Sequence, residues 1–417
     1  MTTKAQKNKR VNKESMIVSL DIGKQSHFGY FRAPDGKELK PFSFGNSRDG
    51  FECFYNKLCR FQKVHGLRQV LVGFESTGPY AEPLMHFLAT KPVQLVQINP
   101  MHTKRMKELV GNSPGKTDAK DPRVIADVMM LGHWLTVVVP QGAAAELRRL
   151  THARQRAIKQ RTAMLNQLQH LIFIIFPEFL QVIKNVSCKT GLYLAAHCST
   201  PQAVMALGLA SLSRAMRHVS CGKMGHARAV QLFEAAQRSV GVSEACESMV
   251  TEIGYLVEQI QQANSFVSRL EAQMSKYLDQ IPYSAYLLSL RGIGPVTAAG
   301  LIGEVGDFWQ FRTISEITKL AGLDLYEISS GKHKGQRRIS KRGRPLMRKL
   351  LYFAAINTVR TNGVMYEPYQ RMLARGMPKM KALVAISRKL LAVMFALARD
   401  KSIYKENYSH HQYRLAA

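Results

Sequence analysis

Short apolar runs alternate with turn-forming sequences near the start of the chain, and this pattern restricts the fold more than any other feature. Three of these runs have the length of strands; they cover residues 16–23, 27–33 and 39–44. Turns are predicted between them, from Gly23 to Ser26 and from Pro34 to Gly36, where Asp-Gly is a hairpin signal. Apolar residues spaced by three and four then predict a helix from Phe51 to Phe61.

Strands and helices continue to alternate after this helix. Strands are predicted at 70–74 and 93–98, and helices at 80–88 and from about residue 118. Three meandering strands followed by this alternation indicate an α/β domain built on a mixed sheet.

Acidic residues lie where two of these strands end and where the last helix begins. Asp21 closes the first strand and Glu75 the fourth. Asp118 and Asp121 are three residues apart, which puts both on one face of a helix. Open α/β sheets carry their functional groups at such strand ends.

Four carboxylates close together repel one another unless cations intervene. Mg²⁺, or Mn²⁺ in its place, prefers carboxylate oxygens, and two such ions can activate a phosphodiester. Each acid also has a structural interpretation: Asp21 can begin a turn, and Asp118 can cap a helix. Asp127, two turns into the same helix, is a further candidate.

The charge of the chain narrows the class of partner. Lys and Arg number 59 against 29 Asp and Glu, a formal charge of +30. Such an excess favours polyanions. The longest apolar runs fall well short of the ~20 residues of a membrane span, and the six cysteines show no metal-site spacing. We therefore expect a soluble, cytoplasmic protein that binds a polyanion, either nucleic acid or an anionic membrane surface.

The middle of the chain has a helical pattern. A basic helix is predicted from about Ala143, with Arg148 and Arg149 on it. A heptad-like series of apolar residues marks a second helix over 253–277. Together they predict an antiparallel coiled-coil arm with a helical insert at about 178–245. The apolar seam suits packing within the chain or a dimer contact equally well.

A glycine-containing turn precedes the C-terminal helices. Residues 287–300 read as helix, tight turn and helix, with Gly292 and Gly294 in the turn and Pro295 at the first helical position. This pattern is typical of a helix-hairpin-helix, whose turn amides hold a phosphate. An ordinary helical turn is the equal alternative.

Two serines, Ser329 and Ser330, stand beside Gly331 in a strongly basic segment. No acid interrupts the bases of residues 332–349, which are Lys332, Lys334, Arg337, Arg338, Lys341, Arg342, Arg344, Arg348 and Lys349. Such a segment suits a phosphate backbone. A serine presented there is a candidate nucleophile, because guanidinium groups and metal ions stabilise the developing charge. A phosphoserine ester would also preserve the phosphodiester bond energy for rejoining. The alternative is a plain basic turn.

Eight short motifs resemble those of one family. They are Leu20-Asp-Ile-Gly-Lys24, Phe74-Glu-Ser-Thr-Gly-Pro-Tyr80, Ile98-Asn-Pro100, Lys116-Thr-Asp-Ala-Lys-Asp121, Gly292-Ile-Gly-Pro295, Ala321-Gly-Leu323, Ser330-Gly331 and Ile339-Ser-Lys-Arg-Gly343. In this order they resemble the DEDD transposases of the insertion-sequence 110 family, which includes the Piv-type DNA invertases. Two positions depart from the family pattern: Pro122 stands where alanine is usual, and Leu325 where proline is common.

The resemblance implies a fold of the α/β plus α class. It implies an N-terminal RuvC-like (RNase H-like) domain whose tetrad is Asp21, Glu75, Asp118 and Asp121. It also implies a C-terminal helical transposase domain whose nucleophile is Ser330, with Ser329 kept in reserve. It further implies a homo-oligomer, a dimer or tetramer, that joins tetrad and serine from different protomers and is guided to DNA by a structured RNA.

These inferences give a domain plan and three functional hypotheses. The plan is a basic N-terminus at 1–15, a catalytic domain at 16–135, the arm at 136–283, the transposase domain at 284–400 and a tail at 401–417. The first hypothesis is a transposase or site-specific recombinase. The alternatives are a hydrolytic junction nuclease, in which the serine is incidental, and a non-catalytic RNA- or DNA-binding protein.

Overall fold

The computed structural model describes residues 11–75, 78–110, 120–327, 335 and 337–405. The chain divides into two compact units. The first contains residues up to 141 together with 311–319, and the second contains 142–310 and the residues from 320 onward.

A six-stranded mixed sheet forms the centre of the first unit. Its strands are β1 (Ser15–Ile22), β2 (Ser26–Arg32), β3 (Glu38–Gly45), β4 (Gln69–Glu75), β5 (Gln94–Ile98) and β6 (Leu135–Thr136), in the spatial order β3-β2-β1-β4-β5-β6. β1 pairs parallel to β4, and β4 parallel to β5, whereas β2, β3 and β6 run antiparallel to their neighbours. The predicted mixed α/β sheet is therefore confirmed.

Both faces of this sheet are covered by helices. Four helices follow strands of this sheet in the chain: α1 (Arg48–Val64), α2 (Glu82–Ala89), α3 (Pro100–Val110) and α4 (Lys120–Met130). α1 and α2 bury Phe54 and Leu84 against the even-numbered side chains of β1, such as Val18. α4 buries Ile125 on the opposite face, against Ile17 and other odd-numbered side chains. The period of two along a strand separates the two cores.

Two elements of the first unit were not predicted. α3 lacks a strong apolar stripe, because its middle reads His-Thr-Lys-Arg-Met-Lys from residue 102 to 107. β6 is two residues long and pairs with β5 through Thr136 opposite Val96. Such short or polar segments carry little hydrophobic periodicity.

Two long helices of the second unit, α5 (Gly142–Ile175) and α11 (Cys246–Leu278), lie antiparallel. Polar contacts show this direction, because a later residue of α5 meets an earlier residue of α11. Arg154 donates to Glu271 at 2.7 Å, and Arg161 donates to Asn264 at 2.9 Å. On α11 most of the predicted apolar seam is buried within this chain, including Ile253, Leu256, Ile260, Val267, Leu270 and Met274.

Five short helices fill the segment between this pair. They are α6 (Pro177–Val182), α7 (Lys189–His197), α8 (Pro201–Leu207), α9 (Leu209–Val219) and α10 (His226–Gln237). Their shared core includes Phe179, Leu194 and Leu212 and continues onto Ile172 of α5 and Ile253 of α11. The six cysteines are all free.

The rest of the chain is helical apart from one small hairpin. Its helices are α12 (Ser284–Leu288), α13 (Pro295–Val305), α14 (Ile314–Ala321), α15 (Pro345–Thr358), α16 (Tyr366–Ala374) and α17 (Lys379–Asp400). The hairpin consists of β7 (Leu325–Tyr326) and β8 (Arg338–Ile339). Among the described residues, no helix is both long and apolar enough to cross a membrane.

Candidate active site

Two of the predicted acids lie side by side at one edge of the sheet. The parallel register pairs Leu20 of β1 with Phe74 of β4, and Asp21 and Glu75 are the next residue of each strand. Side chains alternate between the two faces along each strand, which puts Asp21 and Glu75 on the face that α4 covers. Both residues are partly exposed. Neighbouring strands are about 4.8 Å apart, so Asp21 and Glu75 are adjacent positions at this edge.

The beginning of α4 is tied to β1 beside this pair. The buried Ser19 hydroxyl donates a hydrogen bond of 2.6 Å to the carbonyl of Pro122. Ser19 points to the same face as Asp21, two residues along the strand. This bond therefore places the first turn of α4, which carries Asp121, over the end of β1.

A glycine lets α4 approach the sheet closely. Gly73 stands opposite Ser19 in the register, and a Cβ added to it would lie 2.3 Å from the Met129 sulfur. A larger residue at position 73 would force the Met129 side chain to move. The Ser19 hydrogen bond is the contact that ties the helix to the strand.

Asp121 already has a cationic partner. Lys107 of α3 places its ammonium nitrogen 2.7 Å from Asp121 Oδ1, and the aspartate side chain is only 13% exposed. Asp118, the remaining one of the four predicted acids, lies outside the described residues. Among the described residues no three His, Cys, Asp or Glu side chains are close enough to hold a metal.

The donors present nevertheless suit a hard divalent cation. Asp21, Glu75 and Asp121 offer only carboxylate oxygens, the ligands that Mg²⁺ and Mn²⁺ prefer. Asp121 already forms an ion pair with a cation of the protein, the Lys107 ammonium. The chemistry of these three acids therefore fits the predicted metal.

Asp127, the further candidate, has a different position. Its carboxylate accepts a hydrogen bond of 2.6 Å from Arg32 of β2, in an ion pair with both side chains partly buried. Asp127 thus joins α4 to the sheet two turns away from Asp121. It is the best comparison residue for the acids at the edge.

The second candidate region is the β7–β8 hairpin of the second unit. Leu325 pairs with Ile339 and Tyr326 with Arg338. The predicted nucleophile Ser330, the reserve Ser329, and Lys332 and Lys334 fall between these strands in sequence and lie outside the described residues. The structure describes the base of this loop, where β7 and β8 pair.

Two glycines bring the chain into close contact with itself at this base. A Cβ on Gly343 would lie 2.4 Å from the Gly322 nitrogen, and Gly322 has a φ of +67°. Next to them the Ser340 amide donates to the Asp324 carbonyl at 2.9 Å, and the Lys341 amide to the Gly322 carbonyl at 2.9 Å. The main chain therefore packs directly against itself at the base of the loop whose sequence contains Ser329 and Ser330.

A buried carboxylate anchors the chain just after the hairpin. Glu304 of α13 is 2% exposed and lies 2.8 Å from His152 Nε2 of α5. Arg344 donates to the Glu304 backbone carbonyl. Burial favours the neutral acid, but the His152 hydrogen bond and the charges of Arg344 and Arg148 outweigh it, so the pKa of Glu304 is lowered.

Some of the predicted DNA-binding arginines are used within the chain. Burial, and then repulsion from Arg148, lower the pKa of Arg344 to about 10, against the attraction of Glu304. Arg348 donates to the Ala321 carbonyl at 2.9 Å, and burial lowers its pKa. Both remain cationic at neutral pH, so they add to the field while they hold the structure together.

The other predicted basic residues in the described part of the chain are more accessible. Arg148 is partly exposed, and the exposed ones are Arg149, Arg337, Arg338, Lys341 and Arg342. Arg337 also forms an ion pair with Glu327 at 2.9 Å. Gly292 and Gly294 lie in an exposed turn between α12 and α13, where Gly292 has a φ of +100°.

Sequence reasoning missed Ser19, Lys107 and Glu304. Ser19 left no signal, because one hydroxyl in an apolar strand is unremarkable. Lys107 lies in the helix that was not predicted. Glu304 did leave a signal in the sequence, because it is the only acid in the otherwise apolar helix 295–305. A buried acid of this kind requires a cationic partner.

Two family models match the chain. One, described as a transposase of the DEDD IS110 type, matches residues 18–177. The other, described as a transposase of the IS116/IS110/IS902 family, matches residues 284–370. The first match includes Asp21, Glu75, Asp118 and Asp121, and the second includes Ser330.

Similar proteins occur in several bacteria. The chain is 24% identical to the insertion element IS110 43.6 kDa protein of Streptomyces coelicolor, over 94% of this chain and 95% of that protein. It is 22% identical to the transposase for insertion sequence element IS1111A of Coxiella burnetii, over 75% and 73% respectively. The pilin gene-inverting protein of Moraxella lacunata is 28% identical over 36% of this chain and 50% of its own length.

Proposed function

Because the chain belongs to the IS110 family of DEDD transposases, we propose that it breaks and rejoins DNA through a covalent phosphoserine. Family membership makes it a DNA transposase or recombinase. The observation that carries the mechanism is the register that sets Asp21 beside Glu75 on the face where α4 begins. The likeness to a pilin gene-inverting protein supports strand rejoining as well as cleavage.

In this proposal Asp21, Glu75, Asp118 and Asp121 hold Mg²⁺ or Mn²⁺. Such an ion supplies charge stabilisation for the phosphate that is attacked. Ser19 ties the first turn of α4 to β1 and so brings Asp121 toward the pair on the strands. Lys107 then acts as the counter-charge of Asp121 in the metal-free protein.

Ser330 supplies the nucleophile. Its Oγ gives up a proton and forms a bond to phosphorus, while the bond between phosphorus and a deoxyribose oxygen breaks and that oxygen takes up a proton. A deoxyribose hydroxyl later attacks the phosphoserine, which restores a phosphodiester and returns the serine. No external energy source is required, because each step exchanges one phosphate ester for another.

The finer parts of the proposal concern architecture and partners. The paired helices α5 and α11 act as a coiled-coil arm that joins protomers into a dimer or tetramer, and the turn at Gly292 and Gly294 acts as a helix-hairpin-helix on phosphate. The plan of five domains stays a prediction. A structured guide RNA and two DNA duplexes share the basic surfaces, which the charge of +30 favours.

Trapping of the covalent adduct tests the nucleophile. Ser330→Ala is expected to abolish the protein–DNA adduct and recombination, whereas Ser329→Ala keeps both. Denaturing gel electrophoresis of labelled DNA after incubation with Mg²⁺ and the guide RNA measures the adduct. Cleavage that survives in Ser330→Ala would instead favour a hydrolytic nuclease, and binding without any cleavage in the unmodified protein a non-catalytic one.

A further inference from the structure

The β7–β8 hairpin exposes two large apolar side chains next to each other. Leu325 is 41% exposed and Tyr326 is 43% exposed. Neighbouring residues of a strand point to opposite faces, so each face of the hairpin presents one of them. A single exposed apolar side chain is ordinary by itself, so the groups around Tyr326 decide what it can contact.

The charges around this pair identify the chemistry of the partner. Four exposed cations accompany it: Arg337, Arg338, Lys341 and Arg342. The two acids of the described hairpin residues are engaged within it, Asp324 by the Ser340 hydroxyl and Glu327 by Arg337. Arg337 is paired with Glu327, but an apolar protein surface would leave Arg338, Lys341 and Arg342 desolvated, whereas a nucleic acid offers phosphates for them and base faces for the ring.

The position of Tyr326 adds a second constraint. Its register partner is Arg338, so a ring and a guanidinium stand directly opposite across the hairpin. Ser330 follows Tyr326 by four residues, which in a fully extended chain is at most about 14 Å. The chain connection alone therefore keeps residue 326 near residue 330.

We propose that Tyr326 inserts between DNA bases beside the cleavage position and holds the duplex unstacked there, while Arg338, on the same face of the hairpin, contacts the adjoining phosphate. DNA strands exchange partners only after their bases separate. Unstacking a base step costs a few kcal/mol, which an apolar wedge offsets. The placement beside the cleavage position rests on the proposed role of Ser330, but insertion into DNA does not.

Binding to paired and mismatched DNA tests this role without any cleavage. The full chain, stripped of nucleic acid, is titrated with a mixed-sequence duplex and with the same duplex carrying one central mismatch. A wedge binds the mismatched duplex more tightly, because unstacking there is less costly. In Tyr326→Ala we expect this preference to fall by about tenfold, the effect of losing one base–aromatic stack. Tyr326→Phe is expected to retain it.

Two control variants separate the wedge from general effects. Tyr255→Ala removes a tyrosine of α11 that is 60% exposed, and should leave the preference unchanged. Arg338→Gln should weaken binding to both duplexes alike and lower the salt slope by about one. The thermal midpoint of each variant shows that the fold is retained.

Two results would overturn the proposal. One is an unchanged preference in folded Tyr326→Ala. The other is a changed sedimentation coefficient in Tyr326→Ala with DNA binding intact, which would assign the hairpin to a contact between protein copies. Loss of cleavage in Ser330→Ala bears on neither result, so the wedge and the nucleophile fail independently.

Discussion

The acidic edge of the first unit and the serine hairpin of the second are held by different kinds of contact. Asp21 and Glu75 end strands that are buried on both faces, and a buried hydroxyl ties α4 to them. The hairpin has two-residue strands, and its base depends on two glycines that let backbone meet backbone. Packing of a core thus positions Asp21 and Glu75, whereas local chain geometry forms the base of the hairpin. Changes in one region should leave the other intact.

The largest expected effect is at the acidic edge. Asp21→Asn keeps the size of the side chain but removes a charge, and we expect it to abolish cleavage and to weaken Mn²⁺ binding strongly. Calorimetric titration with Mn²⁺ and gel-based cleavage assays measure the two effects. Asp127→Asn is the matched control, because it breaks the ion pair with Arg32 away from the edge. Cleavage by Asp21→Asn at the normal rate would remove the acids from the mechanism.

A glycine substitution tests the hairpin in the same way. Gly343→Ala forces a Cβ to within 2.4 Å of the Gly322 nitrogen and the Leu320 carbonyl oxygen, so the backbone must shift. We expect a loss of about 1–3 kcal/mol in stability and a large fall in adduct formation, with Mn²⁺ binding unchanged. Gly254→Ala, on α11 with open space around it, should be neutral or slightly stabilising. Equal loss of Mn²⁺ binding in Gly343→Ala would show that the regions are not independent.

A smaller effect is expected at Lys107. Lys107→Met removes the ammonium that pairs with Asp121, so Mn²⁺ no longer competes with it. The ion pair is partly exposed and therefore weak, and we expect about a two- to fivefold gain in Mn²⁺ affinity. Titration without DNA measures it. Lys104→Met on the same helix removes an equal charge, and a gain of the same size there would point to the general field instead.

The smallest effect concerns pH and the buried His27 of β2. Its ring stacks on Phe51, and neither ring nitrogen has a hydrogen-bond partner among the described groups. Burial lowers the pKa of His27 from its ordinary 6.5, and nearby Asn46 offsets only part of this. The unfolded chain takes up the proton first, so unfolding free energy should fall as the pH drops below about 6.5.

Chemical denaturation of the first unit at pH 7.5 and 5.5 measures this dependence. His27→Phe suits the aromatic surroundings and should reduce the loss at low pH, whereas His218→Phe, on an exposed position of α9, should not. Equal loss in both variants would mean that other groups set the acid sensitivity.

The sequence was sufficient for the strand ends but not for the contacts around them. Short, mostly apolar runs bounded by turn-forming residues place Asp21 and Glu75 near the ends of strands, because strand length follows from local patterns. Lys107 escaped prediction since its helix is too polar to show a stripe, and its pairing with Asp121 depends on how two helices pack. The Arg344–Glu304 contact joins residues forty positions apart, which no local pattern encodes.

The bond between Ser19 and the carbonyl of Pro122 has a consequence for how this site can vary. The strand contributes a side chain, but the helix contributes only main-chain oxygen. Every amino acid has that oxygen, so position 122 can change from alanine to proline at no cost to the attachment. Position 19 has no such freedom, because a small hydroxyl must fit a buried strand. Substitutions at position 122, beside Asp121, should therefore preserve this attachment, whereas substitutions of Ser19, two residues before Asp21, should not.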